Sequence, residues 1–296
     1  MDKLITIFTP TYNRAYCLGK VYKSLCQQSN KNFLWLIVDD GSTDNTAELV
    51  RKWMQRGEIT IAYYCQENGG KQKAHNNAVI RAKSELFFCL DSDDILAKDA
   101  IDLIEAKWKC KCKITNTAGI VSYKRSLDSG MLLSTVFPQV TSSKLNALYQ
   151  SGFRGETTLV YRVDVLKKHL YPKIPNELYM PDAYVYDRID RDYSLMILPE
   201  VLQICEYLSD GTSANMYKTH KLNPLGYAQY YNQKALFSNK FGNKCSAIVH
   251  YVAFSILGGD NDVCKKSHHK GTAAILFPLG VILSIYKKLQ YWAFIR

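Results

Sequence analysis

Three carboxylates, Asp91, Asp93 and Asp94, fall within four residues directly after the apolar run Leu86-Phe87-Phe88-Cys89-Leu90. Five apolar residues in a row read as a strand buried on both faces of a parallel sheet. The carboxyl ends of such strands are where open α/β sheets bind their ligands. Like charges crowded there are unfavourable unless a cation, water or hydrogen-bond donors offset them. A hard divalent ion holding phosphate oxygens suits the pattern, because Mg²⁺ uses one or two carboxylates plus substrate phosphates. The competing reading is a solvated acidic turn that caps a following helix, Lys98 to Trp108.

The elements that must position these acids alternate along the first hundred residues. Lys3 to Phe8 reads as a strand ending in Thr9-Pro10-Thr11-Tyr12-Asn13-Arg14, followed by a helix over Ala15 to Gln28. Phe33 to Val38 is a second strand, ending in Asp39-Asp40-Gly41-Ser42-Thr43-Asp44 and a helix to about Met54. Ile59 to Tyr64 is a third, leading into Gln66-Glu67-Asn68-Gly69-Gly70-Lys71 and a helix through Ala82. Four strand–helix alternations, each strand closing on a polar loop, predict an α/β fold with a doubly wound, mainly parallel nucleotide-binding sheet. Neither G-x-G-x-x-G nor G-x-x-x-x-G-K-[ST] is present, so the common dinucleotide and NTPase readings fail.

Beyond Trp108 the pattern changes. Ile120 to Lys124 and Met131 to Phe137 predict an antiparallel hairpin about Asp128-Ser129-Gly130. Ser142 to Tyr149 reads as a helix, Thr157 to Tyr161 as a strand, and Asp182 to Asp190 as a short helix after a proline-punctuated loop. Leu195 to Leu198 and Leu202 to Tyr207 read as two further strands before the loop Asp210-Gly211-Thr212. Helices over Leu225 to Phe241 and Cys245 to Leu257 come next, then the basic-histidine stretch Lys265 to Lys270 and the apolar run Thr272 to Tyr286. Fifteen residues interrupted by Pro278 and Gly280 fall short of the ~20 that span a bilayer. An interfacial segment, with Lys287 and Lys288 on anionic headgroups, is expected instead. The alternative is a helical pair packed on protein.

The chain has 296 residues, 47% of them hydrophobic, and nine scattered cysteines without a C-x-x-C pair; Cys110 and Cys112 are poorly spaced for a metal. With no signal peptide at the start, reduced thiols in a cytosolic protein are expected. The net charge of +11 suits a polyanionic partner: nucleic acid, a phosphorylated substrate or an anionic membrane. No nucleic-acid motif supports the first, so none is expected to bind. A phosphatase would want its D-x-D after the first strand, not the fourth.

Four loops together, T-P-T-Y-N-R (9–14), V-D-D-G-S-T-D (38–44), E-N-G-G-K…N (67–77) and L-D-S-D-D (90–94), resemble the family-2 glycosyltransferases. These are inverting enzymes of the GT-A fold that use nucleotide-activated sugars. The resemblance implies a nucleotide-sugar-binding half over 1–110, an acceptor-binding half with a smaller β portion over 111–215, and C-terminal helices over 216–296. It places Pro10, Tyr12 and Arg14 along the nucleoside, and Asp40, with Asp39 as alternate, on the imide of uracil. A carboxylate is a pure acceptor and uracil N3–H a donor, so that pairing is chemically apt. Lys71, Asn77 and Ser92 join the nucleotide contacts, while Lys73 and His75 are expected to be solvated. Asp91 falls near ribose or metal and Asp93 on the metal, Mn²⁺ or Mg²⁺, with Asp94 supporting.

An inverting transfer also needs a base facing the acceptor hydroxyl. The family places it near a helix start in the second half, which selects Asp182, with Asp187 as alternative. Glu156 is a third candidate, read as an acceptor- or donor-sugar contact. The implied activity is metal-dependent transfer from a UDP-sugar to a glycan, expected to be lipid-linked, in bacterial surface-polysaccharide synthesis. The implied location is cytoplasmic, peripheral on the inner membrane face, with a homodimer compatible with the apolar C-terminal helices. The competing class is a non-catalytic scaffold subunit of a polysaccharide assembly complex.

Overall fold

The computed structural model of the chain describes residues 3–110, 116–211 and 214–293; Cys112 and Thr212 lie outside them. The chain divides into two compact units, Met1–Leu170 with Asp187–Tyr207, and Tyr171–Tyr186 with Leu208–Arg296.

The first unit is built on one nine-stranded sheet. Its opening half is β1 (Ile5–Thr11), α1 (Ala15–Cys26), β2 (Phe33–Asp39), α2 (Thr46–Arg56), β3 (Ile61–Cys65), α3 (Lys71–Arg81) and β4 (Leu86–Cys89). These strands are parallel in the order β3-β2-β1-β4. The chain steps outward from β1 through β2 and β3, then returns to β1's other side with β4. That reversal is the switch point at which open α/β sheets hold ligands. The strands are largely apolar and both faces are covered: Ile5, Ile7, Trp35 and Phe88 on one face and Phe8, Leu36 and Phe87 on the other are buried. On one face Tyr22 of α1 and Trp53 of α2 stack with ring centroids 4.5 Å apart over Trp35, whose indole N–H donates to Thr9 Oγ1 at 2.9 Å.

The second half adds β5 (Ile95–Leu96), α4 (Ala100–Trp108), β6 (Thr117–Ser126), β7 (Ser142–Ser143), α5 (Leu145–Gln150), β8 (Thr157–Arg162), α6 (Val163–Leu166), the part of α7 (Ala183–Asp192) from Asp187 on, and β9 (Ser194–Cys205). The sheet continues past β4 as β8-β6-β9-β5, now mainly antiparallel.

Several expectations change here. The two strand runs between 195 and 207 are one strand, β9, whose register against β6 jumps from Ser122↔Leu198 to Tyr123↔Val201. Pro199 and Glu200 are extruded and exposed, as expected where proline cannot donate to a ladder. The hairpin turn after β6 forms, but Met131 to Phe137 keeps only isolated bridges, Arg125↔Leu132 and Ser134↔Gly155. Met131 and Val136 are exposed, so no buried face fixes a register there. The helix expected from Ser142 begins at Leu145, because Ser142 and Ser143 pair with β9.

The second unit holds α8 (Met216–Leu222), α9 (Pro224–Phe237), α10 (Phe241–Leu257), α11 (Val263–Lys266) and α12 (Lys270–Ala293). Glu177 accepts bonds from the Leu225 and Gly226 amides, at 2.7 and 2.6 Å, and so anchors the preceding loop on the start of α9. The break expected at Pro278 and Gly280 does not occur, and α12 runs through both. Gly280 permits close packing: a Cβ there would lie 2.3 Å from Val252 Cγ1 of α10. At 24 residues, or about 36 Å, α12 exceeds the expected fifteen. Among the described residues it contains the one segment, Lys270–Tyr291, long and apolar enough to cross a membrane.

Candidate functional site

The loops after β1 to β4 are tied to one another. Asn13 adopts the left-handed conformation (φ 53°), which asparagine tolerates through its short polar side chain. Its Oδ1 accepts from the Thr43 amide at 2.8 Å and the Asp44 amide at 3.3 Å, and its own amide donates to Ser42 Oγ. Asp44 accepts from the Ala15 amide at 3.1 Å and the Thr46 amide at 3.0 Å, so one carboxylate serves the starts of α1 and α2. Burial pushes that carboxyl up, but the bonds from Thr46 and Ala15 outweigh it and hold it below the usual range.

The two acids after β2 are both buried. Asp39 accepts from the Ser42 amide and the Tyr63 hydroxyl, bracing its own turn. Asp40 accepts three bonds: Gln66 Nε2 at 2.7 Å, the Gly69 amide at 2.9 Å and the Gly70 amide at 2.7 Å. Three of the roughly four acceptor positions of a carboxylate are therefore used to fold the third loop. Gly70 sits at φ 85°, a conformation that suits glycine, so its amide can turn toward Asp40. Gln66, which sequence reasoning passed over, also accepts from Asn77 Nδ2, giving an Asp40–Gln66–Asn77 chain that is buried at Asp40 and Gln66 and half-buried at Asn77.

Lys71, the first residue of α3, reaches Asp91 at 2.9 Å, and Arg14 lies 3.9 Å from Asp93. Burial pushes Asp91 up, but Lys71, with Lys124 and Arg14 beyond it, overrides this and holds the carboxyl low. Asp93 moves the other way, raised by burial and then by the charge of Asp91. Asp94 is pushed up to about 6 by burial and by Asp91, and it accepts a bond from Gln203 Nε2 of β9. The acidic turn therefore does not cap α4; Asp99 precedes that helix, and Ser92 and Asp94 are buried. Pro10 lies opposite Val38 near the end of β1, and Tyr12 stands exposed beyond the strand. Lys73 is exposed as expected, but His75 is not: it is buried edge-on against Phe8 and Phe87. Helical spacing from Ala74 and Ala78 puts it on the sheet face.

Glu156 lies on the far half of the sheet, where Tyr207 donates to it at 2.8 Å and Lys124 Nζ stands 3.6 Å away. Burial alone would push the Lys124 ammonium down, but Cys205, Asp94, Asp91 and Glu156 raise it. Asp187 belongs to the first unit; Asp182, immediately before α7, belongs to the second. The Asp182 carbonyl accepts from Tyr171 OH at 3.0 Å.

Among the described residues no three His, Cys, Asp or Glu side chains are grouped to hold a metal. Asp91 and Asp93 still fit a divalent cation of the kind that takes one or two carboxylates and completes its shell with phosphate oxygens. Burial first and the charge of Asp91 second raise Asp93, although Arg14 and Lys71 lie near.

A family model described as glycosyl transferase family 2 matches residues 6–170, more than half of the chain. The chain belongs to glycosyltransferase family 2. Within this family it is 34% identical over 148 residues to an uncharacterized glycosyltransferase of Rickettsia conorii, covering 47% of this chain and 24% of that one. It is 33% identical over 99 residues to a putative teichuronic acid biosynthesis glycosyltransferase, TuaG, of Bacillus subtilis, covering 33% and 39%. The chain thus spans about a quarter to two fifths of these relatives' length. Among solved structures, S. aureus TarS 1–349 in complex with UDP-GlcNAc superposes with a TM-score of 0.59 at 17% identity, covering 93% of this chain and 90% of that one. The mannosyltransferase PcManGT of Pyrobaculum calidifontis, in complex with GDP-Man and Mn²⁺, gives 0.56 at 17%, covering 99% and 83%. At that identity the likeness is one of fold, and the glycosyltransferase GT-A fold expected from the four loops is the one observed.

Proposed function

We propose that the chain transfers a sugar, a hexose or N-acetylhexosamine, from a UDP-sugar to a glycan hydroxyl with inversion at the anomeric carbon. The observation that carries this reading is the meeting of Asp91 and Asp93 with Lys71 and Arg14 at the carboxyl ends of strands beside the switch point. Acids and bases brought together from three loops suit a charged diphosphate better than a purely structural turn. The complexes of TarS with UDP-GlcNAc and of PcManGT with GDP-Man support a nucleotide-sugar donor, the first of them a UDP-sugar.

In this reading Pro10, Tyr12 and Arg14 line the nucleoside, and the acceptor position that Asp40 keeps free takes the base imide. Lys71 faces the phosphates, with Asn77 and Ser92 completing the nucleotide contacts. Asp91 and Asp93 would hold Mn²⁺ or Mg²⁺, which when bound offsets charge on the diphosphate leaving group. Asp182 accepts the proton of the acceptor hydroxyl as its oxygen bonds to the anomeric carbon. The bond from that carbon to the phosphate oxygen breaks, and the nucleoside diphosphate leaves with its electron pair. Asp187 is the alternative base.

The acceptor is read as a lipid-linked glycan of a bacterial surface polysaccharide, and the protein as peripheral on the inner face of the membrane. The TuaG relative supports the pathway. The support for membrane contact is α12, whose outward face is an unbroken apolar stripe: Ile275, Leu279, Ile282, Ile285, Tyr286 and Leu289 are all exposed. Stripes of that length are uncommon on soluble monomers, and Lys270 and Lys288 lie beside this one on the helix surface.

The test is single-turnover transfer from a UDP-sugar with Mn²⁺ and a lipid-linked acceptor. Asp182→Asn should bind donor as wild type does and transfer ~10²–10⁴-fold more slowly. Loss of transfer in Asp187→Asn, with Asp182→Asn active, would move the base; donor left intact by the wild-type protein would remove the reading.

A further inference from the structure

The inward face of α12 is marked by buried residues at helical spacing, Ala273, Gly280, Ser284 and Tyr291. Lys287 falls on that same face, between Ser284 and Tyr291, with its ammonium 4.6 Å from the centre of the Phe254 ring of α10. It therefore does not belong to the exposed apolar stripe, and the sequence expectation that it meets membrane headgroups beside Lys288 does not describe its place. Burial holds its ammonium below the usual lysine range. Among the described residues no carboxylate pairs with it, and a half-buried cation without a counter-charge is costly even over a ring.

Three further bases gather on the same rings. His220 of α8 stands edge-on to Phe254 at 5.2 Å and to Tyr227 at 4.3 Å. His250 of α10 stacks on Tyr231 of α9 at 4.7 Å, and Lys234 of α9 lies over Tyr231 at 5.9 Å. Tyr231 and Phe254 are themselves stacked at 5.7 Å, so one pair of rings carries all four bases. His250 Nδ1 donates to the Ser246 carbonyl at 2.9 Å, which leaves its Nε2 for other contacts. The charged groups that act on His220 are Lys287 and His250, and those that act on His250 are Lys287 and Lys234. All are positive. Burial first, and then these neighbours, hold both imidazoles below the ordinary histidine range.

We propose that Lys287, Lys234, His220 and His250 form a binding site for a phosphate group, carried by a soluble ion or by a lipid headgroup. Packing alone calls for an apolar residue at position 287, as at its neighbours on that face. Four bases that repel one another, with no acid among them, complement a polyvalent anion, which would offset the repulsion and accept their hydrogen bonds. His220, His250 and Lys287 are only half-buried, so an anion can reach them. The cluster lies within the second unit, and the inference does not depend on the transferase reading.

The test pairs two measurements on the full chain without Mn²⁺ or nucleotide. One is calorimetric titration with inorganic phosphate; the other is co-sedimentation with phosphatidylcholine vesicles carrying phosphatidic acid. Lys287→Met, which keeps the aliphatic stem, and His250→Gln should each weaken binding by about tenfold, the loss of one charge-assisted bond. Lys287→Arg should bind as wild type does. Lys288→Met, which removes the same charge from an exposed neighbour, should change little. Weakening for phosphate alone supports the site with a soluble ligand, and weakening for the vesicles supports it with a headgroup. Equal losses in Lys287→Met and Lys288→Met would reduce the effect to net charge and overturn the proposal. Phosphate binding that Lys71→Met removes and Lys287→Met leaves intact would put the anion in the first unit and overturn it too. So would a wild-type protein that binds neither probe.

Discussion

Lys71 and Asp91 form an ion pair at 2.9 Å that joins the start of α3 to the loop after β4. Both side chains are roughly a third exposed, so the pair contributes little to stability, ~0–1 kcal/mol after solvent screening. Its value lies in holding a cation beside the acids. Lys71→Met should leave the thermal midpoint within a few degrees of wild type while weakening UDP binding in Mn²⁺ by about tenfold or more. Equal affinity by titration would place Lys71 outside the donor site.

Gln203 is buried, donates to Asp94 and accepts from Thr158 Oγ1 at 3.3 Å, so one amide satisfies groups on two sides. Gln203→Leu takes the amide donor from buried Asp94, while Thr158 keeps its bond to the Tyr123 carbonyl, and should cost about 1–3 kcal/mol in urea unfolding. Gln203→Glu should cost more, because it sets a second carboxylate against Asp94. A Glu variant as stable as wild type would contradict this reading of Asp94's surroundings.

His220 is packed edge-on against Tyr227 and Phe254, and burial holds its imidazole down at about 4, with Lys287 and His250 adding repulsion. The unfolded chain takes up this proton near the ordinary value of about 6.5. The unfolded state therefore binds more protons between these limits. His220's contribution is complete above about 6.5 and is lost as pH falls toward 4. His220→Phe should flatten the fall in urea midpoint between pH 7 and 5. An unchanged slope would mean that His220 is not the group titrating.

The outward stripe of α12 should bind anionic vesicles. Wild type is expected to co-sediment with phosphatidylglycerol vesicles, and Ile275→Glu with Ile282→Glu to stay in the supernatant with its helix content intact. Equal sedimentation of the two proteins would assign the stripe to protein packing instead.

The first half of the fold was legible because its parallel strands are largely apolar runs stopped by polar loops, as in Leu86 to Asp94. The far half was less so. A strand that extrudes Pro199 and Glu200 reads as two, since local pattern carries no register across a bulge. The site shows the same division. Asp40, Lys71 and Asp91 stand in loops whose composition announces them, and the structure joins them through Gln66, the Gly69–Gly70 backbone and α3. Lys124 and Gln203 stand side by side on paired strands, distant in sequence, and their one local signal is a polar residue at the end (Lys124) or in the middle (Gln203) of an apolar run. His75, expected to be solvated, is instead buried on the face that Ala74 and Ala78 mark.

The central claim is that Asp91 and Asp93 serve a diphosphate through a divalent cation. The most direct measurement is titration of UDP-N-acetylglucosamine into wild type and Asp93→Ala, each with Mn²⁺ and with EDTA. Wild type should bind at least tenfold more tightly with Mn²⁺, while Asp93→Ala should bind weakly and equally in both conditions, with an unchanged unfolding midpoint. A metal-independent affinity in wild type, or an undiminished Mn²⁺ effect in Asp93→Ala, would contradict the account.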